Sequence, residues 1–379
     1  MAEFAAYSKE LTPMLETLQM DDEEKEKWQS EVASRVRVGK DLRDRAGGGL
    51  RPDPSPRGRV RQRARLGLAA SVNLVTKAVD LLCDNYVFPD KAKEAAAAIN
   101  RRLAAGDYDG LDEVALGERL TAELFEICRD KHLRVRVRDV SMADALTEAE
   151  REQVWQEQLR LTNYGIARSE RLDGNVGLLD LRAVTSAGVG GRAIAAAIEL
   201  VSQTHALILD LRKNRGGAPD GAIFWSSYFF PDGDTHLNSI YHGDSGQTRQ
   251  YWSHAWLPGD RYLDRPVYVL TSDATFSGGE ELCYNLKTQG RAVLIGETTR
   301  GGAHPTDAFP ITPSFEITVP IARSINPVTG GNWEGTGVEP DIAAPAAEAF
   351  ALAYRKALQH VLTTSTSPAV LAEARAALG

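Results

Sequence analysis

Cysteine, methionine and long apolar runs are all scarce in this 379-residue chain, and each scarcity removes a class of protein. The three cysteines, Cys83, Cys128 and Cys283, lie far apart in apolar, helical contexts. They fit neither a metal-ligand spacing nor a disulfide framework and read as buried thiols. No apolar stretch approaches the ~20 residues that span a bilayer, so no membrane span is expected. The opening segment, MAEFAAYSKELTPMLETLQM, lacks a basic run leading into an apolar core. No signal peptide is therefore expected, and the expected compartment is the cytoplasm. Basic charge is also short: 44 Lys and Arg against 52 Asp and Glu leave a net charge of −8, which argues against a nucleic-acid partner. No internal repeat is evident.

What is present is ordinary for a globular protein, with 43% hydrophobic and 25% charged residues, and the length allows about two domains. Residues 1–65 read as a charged helical extension with a leucine stripe (Leu11, Leu15, Leu18) that would suit a homo-oligomer. They end in a Gly- and Pro-rich linker and the basic run Arg57–Arg65. Residues 66–138 carry apolar positions at helical spacing (Val72, Val75, Val79, Leu82), followed by two more helices. They read as a small helical domain that closes on an alternating edge strand, Leu133–Val137. From 139 to 379, near-continuous apolar strands alternate with helices. Val176–Leu181, Ala206–Leu211, Val267–Leu270 and Ala292–Gly296 are the strands of an α/β core with a buried sheet.

Chemistry gathers at three places in that core. Ser277 follows the strand Val267–Leu270 and opens a helix at Gly278-Gly279. Unpaired N–H groups and the helix dipole at such a position favour negative charge, which suits a nucleophile whose reaction develops an oxyanion. An N-cap serine fits the same place equally well. The turn Asp210–Gly217 follows another buried strand, and its glycine pair lets backbone N–H groups approach a ligand. That turn has no phosphate-loop pattern. In the third place, the glycine-rich loop Asn332–Asp341, Glu334 sits beside Trp333. His132 marks the junction between the helical domain and its edge strand.

Four motifs occurring in one order, DLRKNRGG (210–217), TSDATFSGGEEL (271–282), RAVLIGETTRGGAHP (291–305) and GNWEGTGVEPD (331–341), resemble the tail-specific, or C-terminal processing, serine peptidases. Pro320–Asp341 looks most like the branch that includes interphotoreceptor retinoid-binding protein. The resemblance implies a ClpP/crotonase-like ββα superhelix, preceded by a small helical domain. It makes Ser277 the nucleophile, with an oxyanion hole from Gly278, Gly216 and Gly217. The branch that uses a serine–lysine dyad has its lysine where this chain has Gly302, so the resemblance points instead to a serine, histidine and glutamate set. His132 and Glu334 match it, with Glu334 expected to orient the His132 ring. His304 is the rival base, or a cleft residue. Lys287 should point away from the serine. Only 139–175 separates the histidine from the first core strand, too short for a PDZ module. No metal or other cofactor is expected. The function implied is hydrolysis of a peptide, or of a related acyl group on a small substrate. The alternatives are a pathway-specific acyl hydrolase or transferase, and a non-catalytic carrier of retinoid-like or fatty-acid-like ligands.

Overall fold

A computed structural model of the chain describes residues 67–138 and 147–379. The extension and linker expected over 1–65 lie outside the described residues.

Three helices come first: α1 (Leu68–Asn85), α2 (Pro89–Ala105) and α3 (Glu113–Cys128). Pro at the first position of α2 fits where no intrahelical donor is needed, and Gly106 ends that helix in the left-handed conformation. Asp112 caps α3 by accepting from Ala115 N–H at 2.9 Å. Strand β1 (Arg134–Val137) follows. Next come α4 (Glu148–Leu161), β2 (Ile166–Leu172), β3 (Val176–Leu181), α5 (Ala187–Val201), β4 (Ala206–Asp210) and α6 (Pro219–Ser227). The chain continues through β5 (His236–His242), β6 (Thr248–Trp252), β7 (Val267–Thr271), α7 (Gly278–Thr288) and β8 (Val293–Gly296). It closes with β9 (Thr306–Thr312), β10 (Phe315–Pro320), β11 (Ala322–Ile325), β12 (Ile342–Ala343), α8 (Ala346–Thr364) and α9 (Pro368–Leu378). Among the described residues, no helix is long and apolar enough to cross a membrane.

The central sheet runs β12-β8-β7-β4-β3-β2. Its pairs are parallel except for the edge pair β2–β3. Every residue of β3 and β4 is buried, as the unbroken apolar runs require of strands covered on both faces. One side packs on α5, α6 and α7 through Ile194, Ile198, Leu282 and Leu286, and the other on α8 through Ala349, Ala353 and Ala357.

A second sheet, β1-β10-β9, is antiparallel, and β1 is its edge. The expected edge strand therefore forms. Its partners come from far along the chain: Phe315, Ile317 and Val319 of β10 share one cluster with Leu82, Ile99, Leu116 and Leu124 of the three helices. The third sheet, β11-β5-β6, had no sequence signal. β6 reads TRQYW, has no fully buried residue, and shows none of the alternation that marks a half-buried strand.

The cysteines differ from expectation. Cys283 is buried, Cys128 is half-buried and Cys83 is exposed. On α1 the inward direction at that turn belongs to Leu82, and the next residue points ~100° away, toward solvent.

Candidate active site

Strands β4, β7 and β8 are parallel neighbours, so the turn 210–217, the segment around Ser277 and the loop 297–305 all leave the same end of the sheet. Asn214 ties the first two to each other and to the end of β3. Fully buried, it donates from Nδ2 to Leu181 O (3.1 Å) and accepts Gly216 N–H on Oδ1 (2.8 Å), while its carbonyl accepts Phe276 N–H (3.1 Å).

Ser277 occupies an unusual backbone conformation, φ 54° and ψ −125°. A non-glycine residue with positive φ outside the left-handed helical basin is strained and persists only where its surroundings over-determine it. Glu280 is one cause. Its carboxylate accepts Ser277 N–H (2.8 Å), Gly301 N–H (2.6 Å) and Gly302 N–H (2.9 Å), along with the Thr299 hydroxyl. One buried side chain thus fastens the start of α7 to the loop after β8. Burial nonetheless pushes the Glu280 carboxyl above the ordinary range, with those four donors opposing. Gly216, at φ 101°, is a second cause: a β-carbon there would stand 2.7 Å from the Ser277 Cβ.

The glycine turn and the start of α7 meet behind Ser277, with one correction to the expected oxyanion hole. Gly216 N–H is already bound to Asn214 Oδ1. The N–H groups of Gly217 and Gly278 have no acceptor among the described residues, and both glycines line a cavity of about 310 Å³ with Ser277. His132, Glu281, Gly302, His304, Ser324 and Trp333 also line it.

Both histidines therefore face the cavity with Ser277, but they are held differently. The His132 ring stacks on Phe276 (centroids 4.5 Å apart), and its Nδ1 is buried without a partner among the described residues. Burial drives its pKa down to about 4; Asp130 opposes, and His304, Arg134 and Arg300 add to the fall. His304 pairs through Nδ1 with Asp130 Oδ2 at 2.6 Å, with both side chains buried. Asp130 also accepts His132 N–H on Oδ1 (3.0 Å) and the Tyr86 hydroxyl on Oδ2 (3.3 Å).

Glu334 does not make the contact expected of it. Its carboxylate makes no hydrogen bond to the His132 ring; it accepts Lys131 N–H (3.3 Å) and Ala303 N–H (2.6 Å) and lies 3.5 Å from His304 Nδ1. Two separate segments, the α3–β1 junction and the loop after β8, each donate one backbone N–H and hold Glu334 between Lys131 and Ala303. Burial, reinforced by Asp130, pushes the Glu334 carboxyl up to about 7. Asp130, His304 and Glu334 could offer a cation three ligand atoms within 4.8 Å of one another, although the His304–Asp130 hydrogen bond already satisfies two of them.

Gly302 explains why a lysine has no room here. A β-carbon at that position would come within 2.3 Å of the Phe276 ring and 2.7 Å of His132 Cε1. The histidine and its stacking partner fill the space that a side chain at 302 would need. Lys287 lies at the far end of α7, paired with Asp341 at 3.3 Å, as expected.

The model of peptidase family S41 matches residues 175–344, and the model of the N-terminal domain of peptidase S41 in eukaryotic IRBP matches residues 68–163. The chain belongs to peptidase family S41. The carboxy-terminal processing protease CtpA of Bacillus subtilis is 26% identical over 189 residues, covering 49% of this chain and 38% of that protein. The carboxyl-terminal-processing protease of a Synechocystis strain is 29% identical over 120 residues, covering 32% of this chain and 26% of that protein. The matches thus span well under half of these relatives' length. Among solved structures, a candidate peptidase of Parabacteroides merdae superposes with a TM-score of 0.53 at 18% identity, over 78% of this chain and 99% of that one. That likeness bears on the fold, and it agrees with the expected mixed α/β core behind a helical N-terminal region.

Asp130, Asn214 and Glu280 were not singled out by sequence reasoning. Asn214 and Glu280 lie inside two of the four motifs, and Asp130 lies two residues before His132. The signal in each case was an acid or amide close in sequence to a chemical residue.

Proposed function

We propose that the chain is a serine peptidase that acts through an acyl-enzyme on Ser277. The observation that carries this reading is the strained Ser277 in the wall of a cavity that Gly217 and Gly278, whose N–H groups are unspent, also line. Ser277 Oγ bonds to the carbonyl carbon while its proton passes to the His132 imidazole. The carbonyl oxygen becomes an oxyanion between the two N–H groups. Collapse breaks the bond to the leaving nitrogen, which takes the proton from the imidazolium. Water then repeats the sequence on the ester, releasing the acid and restoring Ser277. Glu334 serves as a positioning residue through the Lys131 peptide. Peptides are the substrate class by kinship with the processing proteases, and an ester or other acyl group would use the same nucleophile.

A second reading makes His304 the base. The buried His304–Asp130 hydrogen bond favours it, because a carboxylate on Nδ1 fixes the tautomer that leaves Nε2 free to accept a proton. Labelling with a neutral fluorophosphonate tests both readings. Wild type should label at Ser277, Ser277→Ala should not, and His132→Ala should label at least ~100-fold more slowly, the lower end of a general base's usual contribution. A folded wild type that does not label overturns the hydrolase reading. Slow labelling of His304→Ala with normal labelling of His132→Ala moves the base to His304. Retinoid or fatty acid co-purifying with an unlabelled protein would support the carrier alternative.

A further inference from the structure

Glu281 plays no part in the mechanism above, yet it is among the residues that line the cavity. It is the fourth residue of α7, and its N–H donates to Ser277 O at 3.0 Å, so it sits one turn into the helix that Ser277 opens, and both residues line the same cavity. Glu281 is 4% exposed, and its Oε1 accepts Asn238 Nδ2 at 3.0 Å. Asn238 is itself fully buried and also reaches Ser324 Oγ, on the cavity wall, at 3.4 Å. This fixes the carboxylate from behind. Oε2 has no hydrogen-bond partner among the described residues, and no Lys or Arg is among the residues lining the cavity.

A buried carboxylate with one unspent oxygen and no protein cation is costly unless something completes it. We propose that Glu281 is the specificity-determining wall of a subsite for a protonated nitrogen of the substrate, close to the carbonyl attacked by Ser277. That nitrogen is either a short basic side chain on the acyl residue or the free α-amino group of an N-terminal residue. Both present the same N⁺–H donors to Oε2, in the charge-assisted geometry that favours carboxylate–ammonium pairs. Burial holds the Glu281 carboxyl up at about 7, with Asp220 adding and Asn238 opposing, and an ammonium beside it would bring it back down. The inference rests on Ser277 being the nucleophile.

The experiment measures Ser277 labelling rates with three aminoalkyl diphenyl phosphonates: N-acylated ornithine, N-acylated norvaline, and norvaline with a free amine. The neutral fluorophosphonate runs alongside. In wild type, one cationic probe should exceed N-acyl norvaline by at least ~10-fold, about 1.4 kcal/mol, and that ratio should fall to near one in Glu281→Gln. The ornithine arm reports a basic side chain, and the free-amine arm an N-terminal residue. Equal rates for all three phosphonates in wild type overturn the subsite, as does a cationic preference retained in Glu281→Gln, while fluorophosphonate labelling leaves the nucleophile standing. No labelling by any probe overturns the nucleophile itself. Should Glu281→Gln fail to fold, protection of the wild-type protein by small amines decides the matter. n-Butylammonium should slow fluorophosphonate labelling and n-butanol should not; equal effects overturn the subsite.

Discussion

At the scale of single residues, the site is governed by what burial does to charge. Desolvation keeps His132 neutral far below the ordinary imidazole range, to about pH 4. If His132 is the base, the acid limb of kcat/KM should fall near pH 4, not near 6.5, because that limb reports the base in the free enzyme. A limb at 6–7 would count against His132. The same shift has a consequence for stability. The folded pKa lies below the unfolded value, so between about 6.5 and 4 the unfolded chain binds the extra proton. The stability contributed by a neutral His132 is complete above pH 6.5 and is lost as pH falls toward 4. Glu281 has the opposite sign. Its carboxyl is raised to about 7, so the folded chain holds the extra proton between 4.5 and 7, and that contribution fades as pH rises through the window. Glu281→Gln keeps the acceptor for Asn238 and removes the desolvated charge. It should therefore raise Tm at pH 8 more than at pH 5, and an equal shift at both pH values would mean the carboxylate is not desolvated.

At the scale of elements, the start of α7 is held by Glu280 more than by the helix itself. Three backbone N–H groups and a hydroxyl converge on that one carboxylate, from Ser277 and from the loop that follows β8. Glu280→Gln turns one of the two acceptor oxygens into a donor facing other donors. Leaving such groups unsatisfied costs about 1–3 kcal/mol each. The variant should lose a few kcal/mol in denaturant unfolding and lose Ser277 labelling, even at temperatures where it remains folded. Full labelling in a destabilised variant would separate the helix start from the chemistry. Gly302→Ala acts on the neighbouring element. Its methyl group would meet Phe276 and His132, so it should reduce labelling more than it reduces Tm.

At the scale of the whole molecule, the helical region and the strands after residue 306 share one core. Phe315 is fully buried among residues of α1, α2 and α3. Phe315→Ala should cost about 3–5 kcal/mol, the usual range for emptying such a site. A fragment ending at residue 138 lacks β9 and β10 and should show no cooperative thermal transition. A sharp transition in that fragment would show that the helices complete a core without the hairpin. Because β1 belongs to this shared sheet and leads directly from Asp130 and His132, loosening the hairpin should also slow labelling at Ser277.

Hydrophobic periodicity and glycine placement act locally, so the alternation of buried strands and helices was legible in the chain before folding. Its sequence also determined that Ser277 opens a helix and that a glycine pair ends a neighbouring strand. It marked His132, His304 and Glu334, but the hydrogen bond from Glu334 to the His132 ring that the resemblance implied is not made. Folding alone reveals that His304 binds Asp130, 174 residues away, and that Glu334 reaches the Lys131 peptide, 203 residues away. The same holds for the sheet of β5, β6 and β11, whose strands carry little alternation of their own. One cause underlies all of these. Periodicity records which face of an element is buried, whereas the partner across a cavity is chosen by the packing of loops that no local pattern encodes.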